Sequence, residues 1–163
     1  MQMIPAEYDE IRPYVPEELP QVFEELIADP EFQAVMSYAF QGMPFEQIAG
    51  AMRASKTNLE FQKALVYPFV KGIIKKLSTE FTLGYDNKEQ LANALCISNH
   101  RDIIMDSAFL CILYVEAIGN TVEIAIGDNL LIRPWIKKLV RVNRSFIVQR
   151  SASIREIDRK SVV

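Results

Sequence analysis

Residues 94–149 decide the fold: ALCISNH (94–100), RDIIMDSAFLCILYVEAIG (101–119) and NTVEIAIGDNLLIRPWIKKLVRVNRSFIVQ (120–149). The apolar run Ala94 to Ser98 reads as a short buried strand, and Ile103 to Ile118 carries apolar residues at helical spacing. Gly119-Asn120 is a turn, Val122 to Ile126 a second strand, and Gly127-Asp128-Asn129 another turn. Leu130 to Val142 follows as a helix interrupted at Pro134, and Ser145 to Gln149 as a third strand. Strand, helix, strand, helix, strand predicts a mostly parallel βαβ sheet with right-handed crossovers, and so the α/β class. His100, the one histidine of the chain, stands at the corner where the first strand hands over to its helix. Side chains at the carboxyl end of a strand face a crevice instead of the core, which makes His100 the leading candidate for chemistry.

Upstream of this stretch, Phe81 to Leu83 suggests a further short strand, followed by turn formers at Gly84, Asp86 and Asn87 and a short helical or irregular piece from Lys88 to Asn93. Residues 1–77 read as a helical N-terminal region. Val22, Phe23, Leu26 and Ile27 form an amphipathic pattern that Asp29-Pro30 ends. A second helix runs from about Glu31 to Phe40, with Gly42 as its stop, and Pro44 opens a third carrying Phe45, Ile48, Ala49 and Met52. A longer helix from about Thr57 carries Leu59, Phe61, Leu65, Val66, Phe69, Val70, Ile73 and Ile74, with Pro68 expected to kink it.

Half of the 163 residues are apolar, enough for one sizeable core. The net charge of -3 is unevenly placed. Between Met1 and Phe32 the acids Glu7, Asp9, Glu10, Glu17, Glu18, Glu24, Glu25, Asp29 and Glu31 face the single base Arg12, whereas Asn129 to Arg155 holds only bases. An acidic front and a basic tail point to an anionic ligand or surface near the tail. Cys96 and Cys111 sit in apolar runs and read as small core residues of a reduced compartment. The N-terminus has neither a basic n-region nor an apolar h-region, and the longest apolar stretch, Ala108 to Val115, is too short to span a bilayer. No glycine-rich phosphate loop and no ligand cluster for a metal appears.

Two segments carry a family resemblance. SNHRDIIMDSAFL (98–110) is similar to the first motif block of the glycerolipid acyltransferases, which act on glycerol-3-phosphate or 1-acylglycerol-3-phosphate, and GDNLLIRPWIKKLVRVNRSFIVQR (127–150) resembles their second block. The resemblance implies that residues 78–157 are the N-terminal part of an acyltransferase domain. It departs from the family in spacing: five residues separate His100 from Asp106 where the family has four, and Asp102 is a rival carboxylate. With Arg150 on the family arginine, Arg144 and Ile147 occupy its glycine and phenylalanine positions; alignment on Phe146 puts Gln149 at the arginine instead.

The resemblance also implies a reaction and the residues that carry it. A fatty acyl group would pass from acyl-CoA or acyl-carrier protein to the hydroxyl of a glycerol phosphate or 1-acylglycerol-3-phosphate in phospholipid synthesis. His100 would be the general base and Asp106 its partner; an imidazole titrating near neutrality suits removal of the hydroxyl proton, and a carboxylate on its far nitrogen holds the tautomer. Asp102 directly precedes the apolar periodicity and also suits a helix N-cap. Arg150 and Arg144 would hold the acceptor's phosphate, and Gly127 and Asn129 would form the acceptor-site turn. No cofactor, metal or nucleic acid is expected, and the protein would be cytoplasmic and peripheral to the inner face of the membrane. Leu130, Leu131, Ile132, Trp135, Ile136, Leu139 and Val140, with Lys137 and Lys138, form an amphipathic stripe for a membrane interface or for the sheet.

A non-catalytic lipid- or partner-binding module on the same scaffold, or an amino-lipid acceptor, are the alternatives. The family's third and fourth blocks do not follow, and residues 158–163 resemble a translated sequencing-adapter end. The expectation is a reading frame cut short, with native sequence ending near Ile157 and a sheet with an unpaired edge.

Overall fold

The computed structural model describes residues 5–99 and 101–150; His100, the expected native end near Ile157 and the tail 158–163 lie outside the described residues. Short 3-10 turns at Ala6–Tyr8 and Pro16–Glu18 lead into α1 (Leu19–Ile27). Its buried residues Leu19, Val22, Phe23 and Leu26 fall on one stripe at spacings of three and four. Helix α2 (Pro30–Ala39) starts where the Asp29 carboxylate accepts the Glu31 and Phe32 N–H groups at 2.9 and 3.1 Å, with Pro30 in the first turn where its missing donor costs nothing. Helix α3 (Phe45–Ala54) follows Pro44, after Gly42 has turned the chain at φ 90°.

Thr57 caps α4 (Asn58–Phe61), which runs into a π-turn at Gln62–Val66 and then α5 (Tyr67–Leu77). The break falls just before Pro68, whose ring clashes with the carbonyl four residues back and has no N–H to give it. The expected kink thus takes the form of a widened turn.

Helix α6 (Lys88–Leu91) is short, and α7 (Met105–Ile118) ends at Gly119, which takes the left-handed conformation at φ 74°. Strand β1 (Ile124–Gly127) leads through a 3-10 turn at Asp128–Leu130 to α8 (Pro134–Val142) and β2 (Ser145–Val148). Helix α8 therefore begins at Pro134 and is not interrupted there. The two strands pair in parallel, Ile124 opposite Ser145 through Gly127 opposite Val148, with α8 as the crossover. The fold is mixed α/β, but with 59% of it helical the sheet is a small component.

Two expected strands are absent. Residues 94–99 are irregular, with Leu95 and Ile97 86% and 87% exposed, and Phe81 to Leu83 is also irregular. Cys96 is exposed as well, so of the two cysteines only Cys111 is a core residue; burial pushes its thiol up to about 11. A helix satisfies its own backbone, whereas a strand needs a neighbour, and apolar composition alone supplies none.

The main core joins α1, α2, α3 and α4 to α8. Phe23 stacks on Phe61 with ring centres 5.5 Å apart, Phe32 meets Trp135 edge-on at 6.0 Å, and Val142 is fully buried in the same cluster. A second cluster joins Val70 and Ile74 of α5 to Ile112 of α7, bordered by Phe81 against Phe109.

Candidate functional site

The turn before α7 is built by two aspartates whose carboxylates accept backbone N–H groups on either side of it. Asp102 Oδ1 accepts the Ile104 and Met105 N–H groups at 2.9 and 2.8 Å, which caps the start of the helix. Asp106, half-buried in the first helical turn, reaches back, and its Oδ2 accepts the Arg101 and Asp102 N–H groups at 2.6 and 3.0 Å. An ionised acceptor makes these bonds stronger than neutral ones. The carboxylates thus fix the chain immediately after His100, which itself lies outside the described residues. The crevice expected for it at the end of a strand 94–98 has no such strand to form it; instead Cys96 Sγ lies 2.9 Å from Tyr114 Oη, ahead of the turn. That hydrogen bond, with burial, pushes the Tyr114 phenol up to about 12.

A second grouping lies at the carboxyl ends of β1 and β2. A Cβ on Gly127 would stand 2.5 Å from Asn129 Oδ1 and 2.8 Å from Arg150 Nε, so both side chains lie against the glycine and would have to shift for any larger residue. The Arg150 N–H donates to Asp128 Oδ1 at 3.2 Å, which ties the end of β2 to the turn after β1. Arg150, distant in sequence, is here a neighbour of Gly127 and Asn129.

Arg144 is not brought to them. It precedes β2, and the four residues between its end of the strand and the other span roughly 13 Å. Its guanidinium donates to Asn120 Oδ1 at 2.6 Å and to Thr121 O and Oγ1 at 3.0 and 3.1 Å, while its backbone takes the left-handed conformation at φ 60°. Arg144, expected beside Arg150 at a phosphate, here fastens the loop entering β1 to the turn entering β2.

The bases at the start of and along α8 meet the protein's own acids. Lys137 pairs with Glu10 at 2.7 Å, Lys138 with Glu25 at 2.8 Å and Arg133 with Glu31 at 3.6 Å, and Trp135 Nε1 donates to Glu31 at 3.1 Å. The lysine hydrogen bonds hold the Glu10 and Glu25 carboxyls below the usual range. The apolar stripe of the helix, Trp135 and Leu139 included, packs on the helical core.

Sequence reasoning passed over the buried polar residues. Arg141, 5% exposed, donates to the Arg12 carbonyl at 2.7 Å and to the Asp9 carbonyl, and lies 3.9 Å over the Tyr14 ring. Asn58 donates to the Val142 carbonyl at 2.9 Å, Gln62 to the Asn143 carbonyl at 3.1 Å, and Thr121 to Gln62 at 2.8 Å. The signal was there: Asn58, Phe61, Gln62 and Leu65 share one helical stripe, and polar residues on a buried stripe require partners.

No family model, no curated protein and no solved structure matches the chain. Among the described residues no helix is long and apolar enough to cross a membrane, and no group of His, Cys, Asp and Glu could hold a metal ion.

Proposed function

We propose that the chain belongs to a glycerolipid acyltransferase that moves a fatty acyl group from acyl-CoA or acyl-carrier protein to the hydroxyl of a glycerol phosphate or 1-acylglycerol-3-phosphate. The observation that carries the reading is the Asp106 carboxylate bonded to the two N–H groups that directly follow His100. A carboxylate so placed ties α7 to the backbone of Arg101 and Asp102, next in sequence to the proposed general base. Asp102 and Asp106 each engage one oxygen with two backbone N–H groups, and the order of residues in the resembled family makes Asp106 the partner of choice.

In the proposed step His100 takes the proton of the acceptor hydroxyl as its oxygen attacks the thioester carbonyl carbon. The carbon–sulfur bond then breaks, and the leaving thiolate takes the proton from the imidazolium. No nucleophile of the protein and no cofactor enters. Arg150 suits the acceptor's phosphate: its planar fork stands against the turn of Gly127 and Asn129, and it is exposed at the carboxyl ends of the strands. Such a protein would work on the inner face of the membrane, from the cytoplasm.

The test is transfer of a labelled acyl group from acyl-CoA to glycerol-3-phosphate and to 1-acylglycerol-3-phosphate by the protein. His100→Ala is expected to lower the rate by about a hundredfold or more, the usual scale for loss of a general base. Equal rates for parent and variant would sink the reading and favour a non-catalytic lipid- or partner-binding module. Transfer only to amino-lipids in an acceptor screen would move the reaction to that acceptor class.

A further inference from the structure

We infer that Arg141 is a positioning residue: through a strap formed by residues 9–14 it sets strand β2, and so holds Arg150 where an acceptor's phosphate would meet it. The role of Arg150 rests on the acyltransferase reading; the strap does not. Arg141 lies in the last turn of α8 and is buried, so its guanidinium needs acceptors within the protein. It finds them in the main chain of the strap, where Nε donates to the Arg12 carbonyl at 2.7 Å and Nη2 to the Asp9 carbonyl. A planar fork that holds two carbonyls three residues apart fixes the backbone between them. That backbone presents Ile11, whose carbonyl accepts the Ile147 N–H at 2.8 Å, a bond outside the ladder between β1 and β2. Further fastenings keep the strap on α8. The Tyr14 N–H donates to the Arg141 carbonyl at 3.4 Å, the Tyr14 ring lies 3.9 Å from the guanidinium, and Glu10 pairs with Lys137 at 2.7 Å.

Strand β2 is thereby held on both edges, by β1 on one and by Ile11 on the other. Two strands alone are marginally stable, so the second support matters to how firmly β2 is placed. Arg150 follows Ile147 by three residues, roughly 10 Å of extended chain. Its N–H donates to Asp128 Oδ1 at 3.2 Å, its Nε lies against Gly127, and its side chain is otherwise exposed. Its position therefore follows that of β2. Without the Arg141 fork the Asp9 and Arg12 carbonyls lose their donors, Ile11 loosens, and the end of β2 shifts. A shift of this kind weakens the grip on a phosphate and leaves the proton transfer assigned to His100 untouched.

The test joins amide exchange to acyl-transfer kinetics for Arg141→Met in the whole protein, a change that keeps much of the side chain's bulk and removes its donors. The Ile147 amide should exchange at least about tenfold faster than in the parent, while the Phe61 amide in the main core stays protected. The KM for glycerol-3-phosphate should rise about tenfold with kcat nearly unchanged, and Arg141→Met should add little in an Arg150→Ala background, because both changes act on one contact. If Arg141→Met does not fold, Tyr14→Leu, which removes only the ring beside the guanidinium, is expected to show the same pattern. Ile147 exchange unchanged from the parent would overturn the inference, as would a KM increase undiminished in Arg150→Ala or a fall in kcat alone. Should the parent transfer no acyl group, the acyltransferase reading fails by itself and titration with glycerol-3-phosphate decides the inference. Binding weakened by both Arg150→Ala and Arg141→Met would sustain it; no binding, or binding indifferent to Arg141, would overturn it.

Discussion

The helical layer formed by α1 to α4 with α8, and the stretch from Ser78 to Ile104, are both supplied with apolar runs but reach opposite ends. In the first, Phe23, Phe32, Phe61, Leu26 and Val142 are almost fully buried, and the charges around them are paired. In the second, Leu95, Ile97, Ile103 and Ile104 are all more than half exposed. The difference teaches that an amphipathic helix arrives with its backbone satisfied and needs only a face to pack on. An extended segment must find both a face and a hydrogen-bonding neighbour.

The largest effect should come from the packed region. Phe61→Ala is expected to destabilise the protein by about 3–5 kcal/mol, because it removes a stacked, fully buried ring, whereas Leu95→Ala should stay within about 0.5 kcal/mol. Denaturant unfolding of both variants measures the contrast, and similar losses would break the comparison by showing that residue 95 is buried in solution. An intermediate effect belongs to the buried polar tie. Asn58→Ala leaves the Val142 carbonyl without its 2.9 Å partner and should cost about 1–3 kcal/mol. A neutral result would show that water takes its place.

The smallest effect is a pH dependence confined to the N-terminal segment. The hydrogen bond from Arg12 holds the Glu18 carboxyl below its ordinary value. A carboxyl depressed on folding binds fewer protons than in the unfolded chain, so its stabilisation is complete above the unfolded value and fades as pH falls through the folded one. Stability of the parent should therefore fall faster on acidification than that of Glu18→Gln, as melting temperatures across the acid range would record. Parallel profiles would remove Glu18 from the account.

Much of the architecture was legible because its signals are local. Asp29-Pro30, Pro44 and Thr57 open helices through caps and proline geometry, Gly119 closes α7, and β1-α8-β2 follows from alternating periodicities. Of the candidate site, Asp102 as a cap could be read from its position. The convergence of Gly127, Asn129 and Arg150 came only as a resemblance, and no periodicity in the chain implies it. The opposite charges of front and tail were visible, but not that they would meet each other.

Local chemistry, then, settled where helices begin and end and which of their faces turn inward, because caps, prolines and helical spacing act within a few residues. Tertiary structure alone decided that α8 joins the helical core, that Arg144 and Arg150 stand at opposite ends of a strand, and that residues 94–99 lie unpaired. Each of these depends on groups distant in the chain meeting in space, and a strand's hydrogen bonds and an ion pair's partner are not encoded in the residues beside them.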